Sequence, residues 1–259
     1  MQRSIGLLVL LVTGTACSGP SVVSDESENV ASVGEAASNK DFDVEFGNCN
    51  VFAGLAQVSA ARARALVPPA YTLVGDAQNT NMVVRVVHCD DTVVDGKATG
   101  STIISHIGIG LVGPDTTVNL NNYTLWYATD NAHLHARLTA AGLAADKSNF
   151  LNLDLAANGT LTVESQSPHT PSFEIHGTAT LPTAAPIPTS ATWWENGGKG
   201  AVSSRTVLPA IQFGSAQTVL TTPANSELAA LIGAPTLTFA VLDSYNLFPA
   251  GTMEVRDTD

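Results

Sequence analysis

The sequence is poor in charge. Only 13% of its 259 residues are Asp, Glu, Lys or Arg, about half the usual share. With 44% hydrophobic residues, a largely disordered chain or a long coiled coil is excluded for most of its length. Basic residues are scarcer still: 11 Lys and Arg stand against 23 Asp and Glu, a net charge of −12. A surface this acidic repels phosphate, so no nucleic-acid partner is expected. Lysine occurs only at Lys40, Lys97, Lys147 and Lys199, which leaves few positions for amine chemistry. The three cysteines form no Cys-x-x-Cys pair, so no metal site is expected, and nothing implies a cofactor. There is no Gly-x-Ser-x-Gly elbow, no internal repeat and no proline-rich linker. No apolar run reaches the roughly 20 residues that span a bilayer.

A short apolar run, Ile5 to Val12, follows Arg3 and ends in Thr13-Gly14-Thr15-Ala16-Cys17. Its length and flanks fit a secretory signal peptide over residues 1–17. Small residues before a cysteine resemble the lipobox of bacterial lipoproteins, with Gly14 where Leu is usual. That resemblance implies lipidation at Cys17. The protein would then be exported and held in the cell envelope, at the outer membrane if the host is Gram-negative, touching membrane only through the anchor. Ser18 to Asp41 carries five acids and one base and has no apolar period, so residues 18–41 read as a flexible tether. One folded domain is expected over 42–259, with 18 acids and 9 bases.

With Cys17 lipidated, Cys49 and Cys89 remain. In an oxidising compartment they form a disulfide, or else they are two buried thiols. A loop of about 40 residues closed this way is worth roughly 4 kcal/mol in the chain-entropy model.

Within the domain, Leu55, Val58 and Leu66 stand near helical spacing and predict a first helix over Phe52 to Leu66, stopped by Pro68-Pro69. Met82 to Cys89 is β-branched and reads as a strand. Ser101–Val112 alternates, and Tyr123–Ala128 is a further strand. A second helix spans about Asn131 to Ala141, with Gly142 as its stop. Strands follow at Leu151–Leu155, Leu161–Glu164 and Phe173–Leu181. Ala191–Glu195 and Gly200–Leu208 flank a glycine-rich hairpin signal. A short helix runs from Ser226 to Ile232. Together these predict an α+β fold, a mostly antiparallel, curved or barrel-like sheet with a few short helices.

This order of elements resembles the acetoacetate decarboxylase-like proteins. The resemblance rests on a helix leading into Val67-Pro68-Pro69, the segment Val83 to Asp90, the alternating Ser105 to Leu111, the Leu125-Trp126-Tyr127 strand and the helix at Leu134–Leu143, and it covers about residues 50–255. It implies a pocket inside the sheet. The family enzymes decarboxylate β-keto acids through a lysine Schiff base, on a Lys-Lys pair after that helix, where the neighbouring cation activates the amine. Here Lys147 stands alone beside Asp146, which opposes the loss of charge this chemistry needs. The key device is missing, and the sequence leans away from an enzyme.

The candidates for catalysis are therefore weak: Lys147, past the helix end, and Lys199, in a glycine-flanked tip. Candidates for ligand binding are Arg85, His106, Trp126, Trp193 and Glu195. Arg85 interrupts an apolar strand. It faces solvent on the alternate side, the commoner outcome, or enters a cavity and binds an anion. His106 lies beside Gly108 and Gly110, which could leave room for a ligand, although an exposed strand histidine is the commoner case. Trp193-Trp194-Glu195 is the densest aromatic spot. Neighbouring strand residues face opposite sides, so one Trp lies inside. It would line an apolar pocket with Trp126 and Tyr127, or simply pack the core. The expected function is binding of a small, largely apolar ligand, with a carboxylate as one option, in the sheet pocket. The rival readings are an enzyme acting on a keto acid and a surface lipoprotein that binds another protein.

Overall fold

The computed structural model describes residues 40–197 and 200–258. Cys17, the signal segment, most of the tether and Lys199 lie outside the described residues.

The chain begins with β1 (Phe42–Ser59), α1 (Ala60–Arg64), β2 (Asn79–Val94), β3 (Lys97–Ala98), β4 (Thr102–Gly110) and β5 (Leu120–Thr129). It continues with α2 (Ala132–Ala141), β6 (Ala145–Lys147), β7 (Phe150–Leu155), β8 (Thr160–Gln166) and β9 (Phe173–Thr180). It ends with β10 (Ile187–Gly197), β11 (Gly200–Phe213), β12 (Ser215–Thr221), α3 (Glu227–Ile232), β13 (Thr236–Thr238) and β14 (Leu242–Asp257).

The main sheet runs β1-β14-β11-β10-β5-β4-β2, and pairing of β2 back onto β1 closes it into a barrel of seven strands. Closure removes both open edges, which would otherwise expose unpaired backbone. Most contacts are antiparallel, but β10 meets β5 and β5 meets β6 in parallel. The expected fold class holds. A second, five-stranded sheet, β13-β12-β9-β8-β7, covers one outer face of the barrel. Between the two layers lies a core that includes Phe52, Val84, Val86, Ile107 and Ile109 from the barrel and Leu161, Val163, Phe173 and Ile175 from the covering sheet.

The other faces of the same strands look inward. Val51, Val87, Cys89, Ile104, Leu208 and Phe248 form an internal core with Leu134 and Leu138 of α2, which plugs one end of the barrel. Local sequence positions this helix. Asn131 caps it by accepting the backbone N–H of His133 and Leu134, and Gly142 ends it at φ 97°. Asp95-Gly96, with φ of 53° and 73°, supplies the tight turn from β2 to β3.

Two findings bear on the expectations. Cys49 and Cys89 are directly opposed on β1 and β2 and form the disulfide. The expected first helix is wrong: Phe52–Ser59 continues β1, and only Ala60–Arg64 is helical. The physical reason is that the first part of this stretch, through Leu55, is covered on both faces. Phe52, Ala56 and Val58 pack against the second layer, while Val51, Ala53 and Leu55 face the interior. A strand buried on both sides has no period-2 polar pattern, and its apolar residues fall by chance near helical spacing.

Candidate functional site

The barrel encloses a cavity of about 140 Å³ to which all seven strands contribute lining residues. Its wall is mostly aliphatic and aromatic, with Val51, Val87, Ile104, Leu208 and Phe248 toward the plugged end. Leu120, Phe213 and Leu242 are at least 36% exposed and rim the open mouth.

Into this apolar wall comes Arg85 from β2. Alternation explains its direction: Val84 and Val86 occupy the layer between the sheets, so residue 85 must point to the barrel axis. The side chain keeps some exposed area, but Nε is sealed from water and finds no hydrogen-bond partner. The area it retains faces the cavity that it lines. No ion pair joins Arg85 to an acid among the described residues, and its guanidinium lies over the face of Trp193, 5.1 Å from the ring centre. Burial pulls its pKa down, opposed by Tyr127. A guanidinium begins so high that it stays charged. The cavity therefore holds an uncompensated cation.

Arg85, His106 and Tyr127 lie opposite one another across β2, β4 and β5, forming a polar rung on the inner wall. His106 is 1% exposed. Its ring stacks on Trp193 at 3.6 Å, meets Tyr127 edge-on and hydrogen-bonds Thr124 Oγ1 through Nε2 at 2.9 Å. Burial, and then the charge of Arg85, hold its pKa well below the usual histidine range, so it is neutral. Burial likewise raises the Tyr127 pKa, which keeps its hydroxyl protonated. A bulge between Ile107 and Gly108 turns Thr124 toward His106. Gly108 is needed here, because a Cβ would stand 2.7 Å from Trp193 Cζ3. Around the rung His106 Nδ1, Tyr127 Oη, Trp193 Nε1, Thr206 Oγ1 and Asn246 Oδ1 are all buried without a partner. Of these residues Trp193, Thr206 and Asn246 line the cavity with Arg85, and unmet polar groups in a mostly apolar wall mark a candidate binding site.

The structure thus brings Arg85, His106 and Trp193 together and corrects two expectations. Arg85 is not on a solvent face, and His106 is not exposed, because the alternate face of their strands is the inside of a closed barrel. Trp126 does not join them. It pairs with Ile107 and packs toward the outer layer, as its position next to the inward Tyr127 requires. Glu195 lies apart, at the seam between β10 and β5. Its Oε1 accepts the Ala144 N–H at 2.7 Å, and burial lifts its pKa to about 7. Lys147 turns away from the cavity and donates to Ser148 O and Asn149 Oδ1. Among the described residues no lysine lines the cavity, and no cluster of three or more His, Cys, Asp or Glu could hold a metal. Thr124, Thr206 and Asn246 escaped the sequence reading. Asn246, flanked by Tyr245 and Leu247, shows the same signal as Arg85: a polar residue inside an apolar strand.

Comparison with solved structures agrees with this architecture. A structure of acetoacetate decarboxylase superposes with a TM-score of 0.57 at 12% identity, covering 82% of this chain and 88% of that one. Acetoacetate decarboxylase from Legionella pneumophila gives 0.53 at 12% identity, with 81% and 84% covered. The chain has an acetoacetate decarboxylase-like fold. No protein-family description matches the sequence, and no curated protein does.

Proposed function

We propose that this chain is an exported, lipid-anchored protein whose barrel binds a small, largely apolar monocarboxylate, with the carboxylate on Arg85 and without Schiff-base catalysis. One observation carries the reading: a buried guanidinium with no acidic partner among the described residues, inside an otherwise apolar cavity. A planar guanidinium matches a carboxylate through two parallel hydrogen bonds, and such pairs are strongest where water is excluded. Trp193 lines the same cavity beside it, and neutral His106 and Tyr127 back this part of the wall.

Size narrows the ligand. An apolar cavity of about 150 Å³ takes one benzene, so the 140 Å³ here suits an acid with a body of about six carbons, aromatic or branched. Export is supported by the signal-like residues 1–17 and by the Cys49–Cys89 disulfide, which suits an oxidising compartment.

Calorimetric titration of the folded protein with benzoate and hexanoate, and with their neutral amides, tests this. The acids are expected to bind at least tenfold tighter than the amides. Equal affinity for acid and amide would leave an apolar pocket and remove Arg85 from the reading.

A further inference from the structure

A second hollow, of about 180 Å³, lies where the barrel wall parts. β10 pairs with β5 only as far as Trp194 and Tyr123. β6 takes over that edge of β5 from Tyr127. Between these points Thr124, Leu125 and Trp126 have no strand partner on that side. Glu195 bridges the gap by accepting the Ala144 N–H. Tyr123, Trp126, Asn196, Glu227 and Leu66 line the hollow with it. It shares no lining residue with the barrel cavity, so nothing here rests on the reading given above.

Its chemistry is the reverse of the barrel's. Glu195 is 7% exposed, and its Oε2 is buried without a hydrogen-bond partner. A second acid, Glu227, stands exposed at the rim on α3. Among the described residues no Lys, Arg or His lines the hollow. Its walls include two aromatic side chains, Tyr123 and Trp126. A metal ion does not fit, because the described residues offer no cluster of three ligands. We propose that the seam hollow binds a small organic ammonium, whose charged nitrogen pairs with Glu195 Oε2 while its carbon body lies against Trp126 and Tyr123. Aromatic faces favour such cations once these are partly desolvated.

Protonation couples to this binding. Burial holds the Glu195 pKa at about 7, and an ammonium partner favours the carboxylate form. The titratable groups around Glu195 among the described residues are Tyr123, whose hydroxyl accepts the Asn196 backbone N–H and whose own pKa is raised by burial, Tyr71, which packs on Tyr123 and donates to Asn196 Oδ1, and Glu227 at the rim. None of them supplies a cation that would satisfy Oε2. Binding near pH 6.5 therefore releases a proton, and affinity rises as pH passes through 7.

The test is calorimetry with n-butylamine and putrescine at pH 6.5, run in two buffers of different ionisation enthalpy. Saturable 1:1 binding with proton release is expected. Glu195→Gln, which keeps an acceptor for the Ala144 N–H, should weaken binding at least tenfold and abolish the proton release. Its thermal melt confirms folding. Arg85→Met should leave amine binding unchanged, which separates this site from the barrel cavity. The proposal is overturned by an absence of saturable binding at 20 mM amine, by equal affinity in Glu195→Gln, or by n-butanol binding as tightly as n-butylamine.

Discussion

Replacing Arg85 by Met separates a ligand-binding cation from a structural one, because the two roles move stability in opposite directions. In the free protein the guanidinium has a sealed Nε–H with no acceptor, and a buried unmet donor costs about 1–3 kcal/mol. Its compensation is the Trp193 face at 5.1 Å, a contact worth about 0.5–2 kcal/mol. Methionine fills much of the same volume without a polar atom. The balance lies between about 1 kcal/mol against the variant and about 2 kcal/mol in its favour. In a domain of this size about 1 kcal/mol shifts the melting temperature by roughly 2–4 °C, so Arg85→Met should melt at most a few degrees below the parent and up to several degrees above it. Carboxylate binding responds the other way. A charged hydrogen bond contributes about 1.5–3 kcal/mol, so benzoate affinity should fall about 10- to 150-fold, while benzamide affinity changes little. Differential scanning fluorimetry and calorimetric titration on the same preparations read both effects. A variant that melts well below the parent yet binds benzoate as before would refute the argument, since the guanidinium would then be a structural group.

Glu195→Gln should change how stability depends on pH. A carboxyl whose folded pKa is raised to about 7 binds more protons folded than unfolded between about pH 4.3 and 7. Stability from this group is full below that window and lost as pH rises through it, by roughly 3–4 kcal/mol. Urea melts should therefore show the variant gaining over the parent up to pH 7 and matching it near pH 4, and parallel curves would contradict this. The denatured, unreduced mature domain should show no free thiol at Cys49 or Cys89, and replacing both by Ala should cost about 2–4 kcal/mol in a denaturant melt. Acetoacetate should not release carbon dioxide above the uncatalysed rate, and release that disappears in Lys147→Ala would place the protein among enzymes. Cys17→Ser should move the protein out of the membrane fraction, since a lipid on this residue is the only anchor proposed.

What could be read without the tertiary structure was whatever depends on near neighbours. The β-branched run Met82–Cys89 had to be a strand. Asn131 and Gly142 had to bracket a helix, and Trp193 and Trp194 had to face opposite sides of β10. The same alternation assigned Arg85 and His106 to the face opposite Val84 and Ile107. It said nothing of what that face would meet. Solvent or cavity was decided by the pairing of β1 with β2 and β14, strands separated by up to the whole domain, which closes the sheet and makes the alternate face an interior. Closure also misled the reading of Phe52–Ser59, because a strand wedged between a cavity wall and a second sheet loses the polar alternation that identifies strands. Glu195 is the plainest case. Its neighbours mark it as an acid at the end of a strand, but its burial follows from β10 leaving β5 one residue earlier and from Ala144 arriving beside it. Local chemistry sets which way a side chain points along its own strand, and only the long-range pairing of strands sets what lies on the other side.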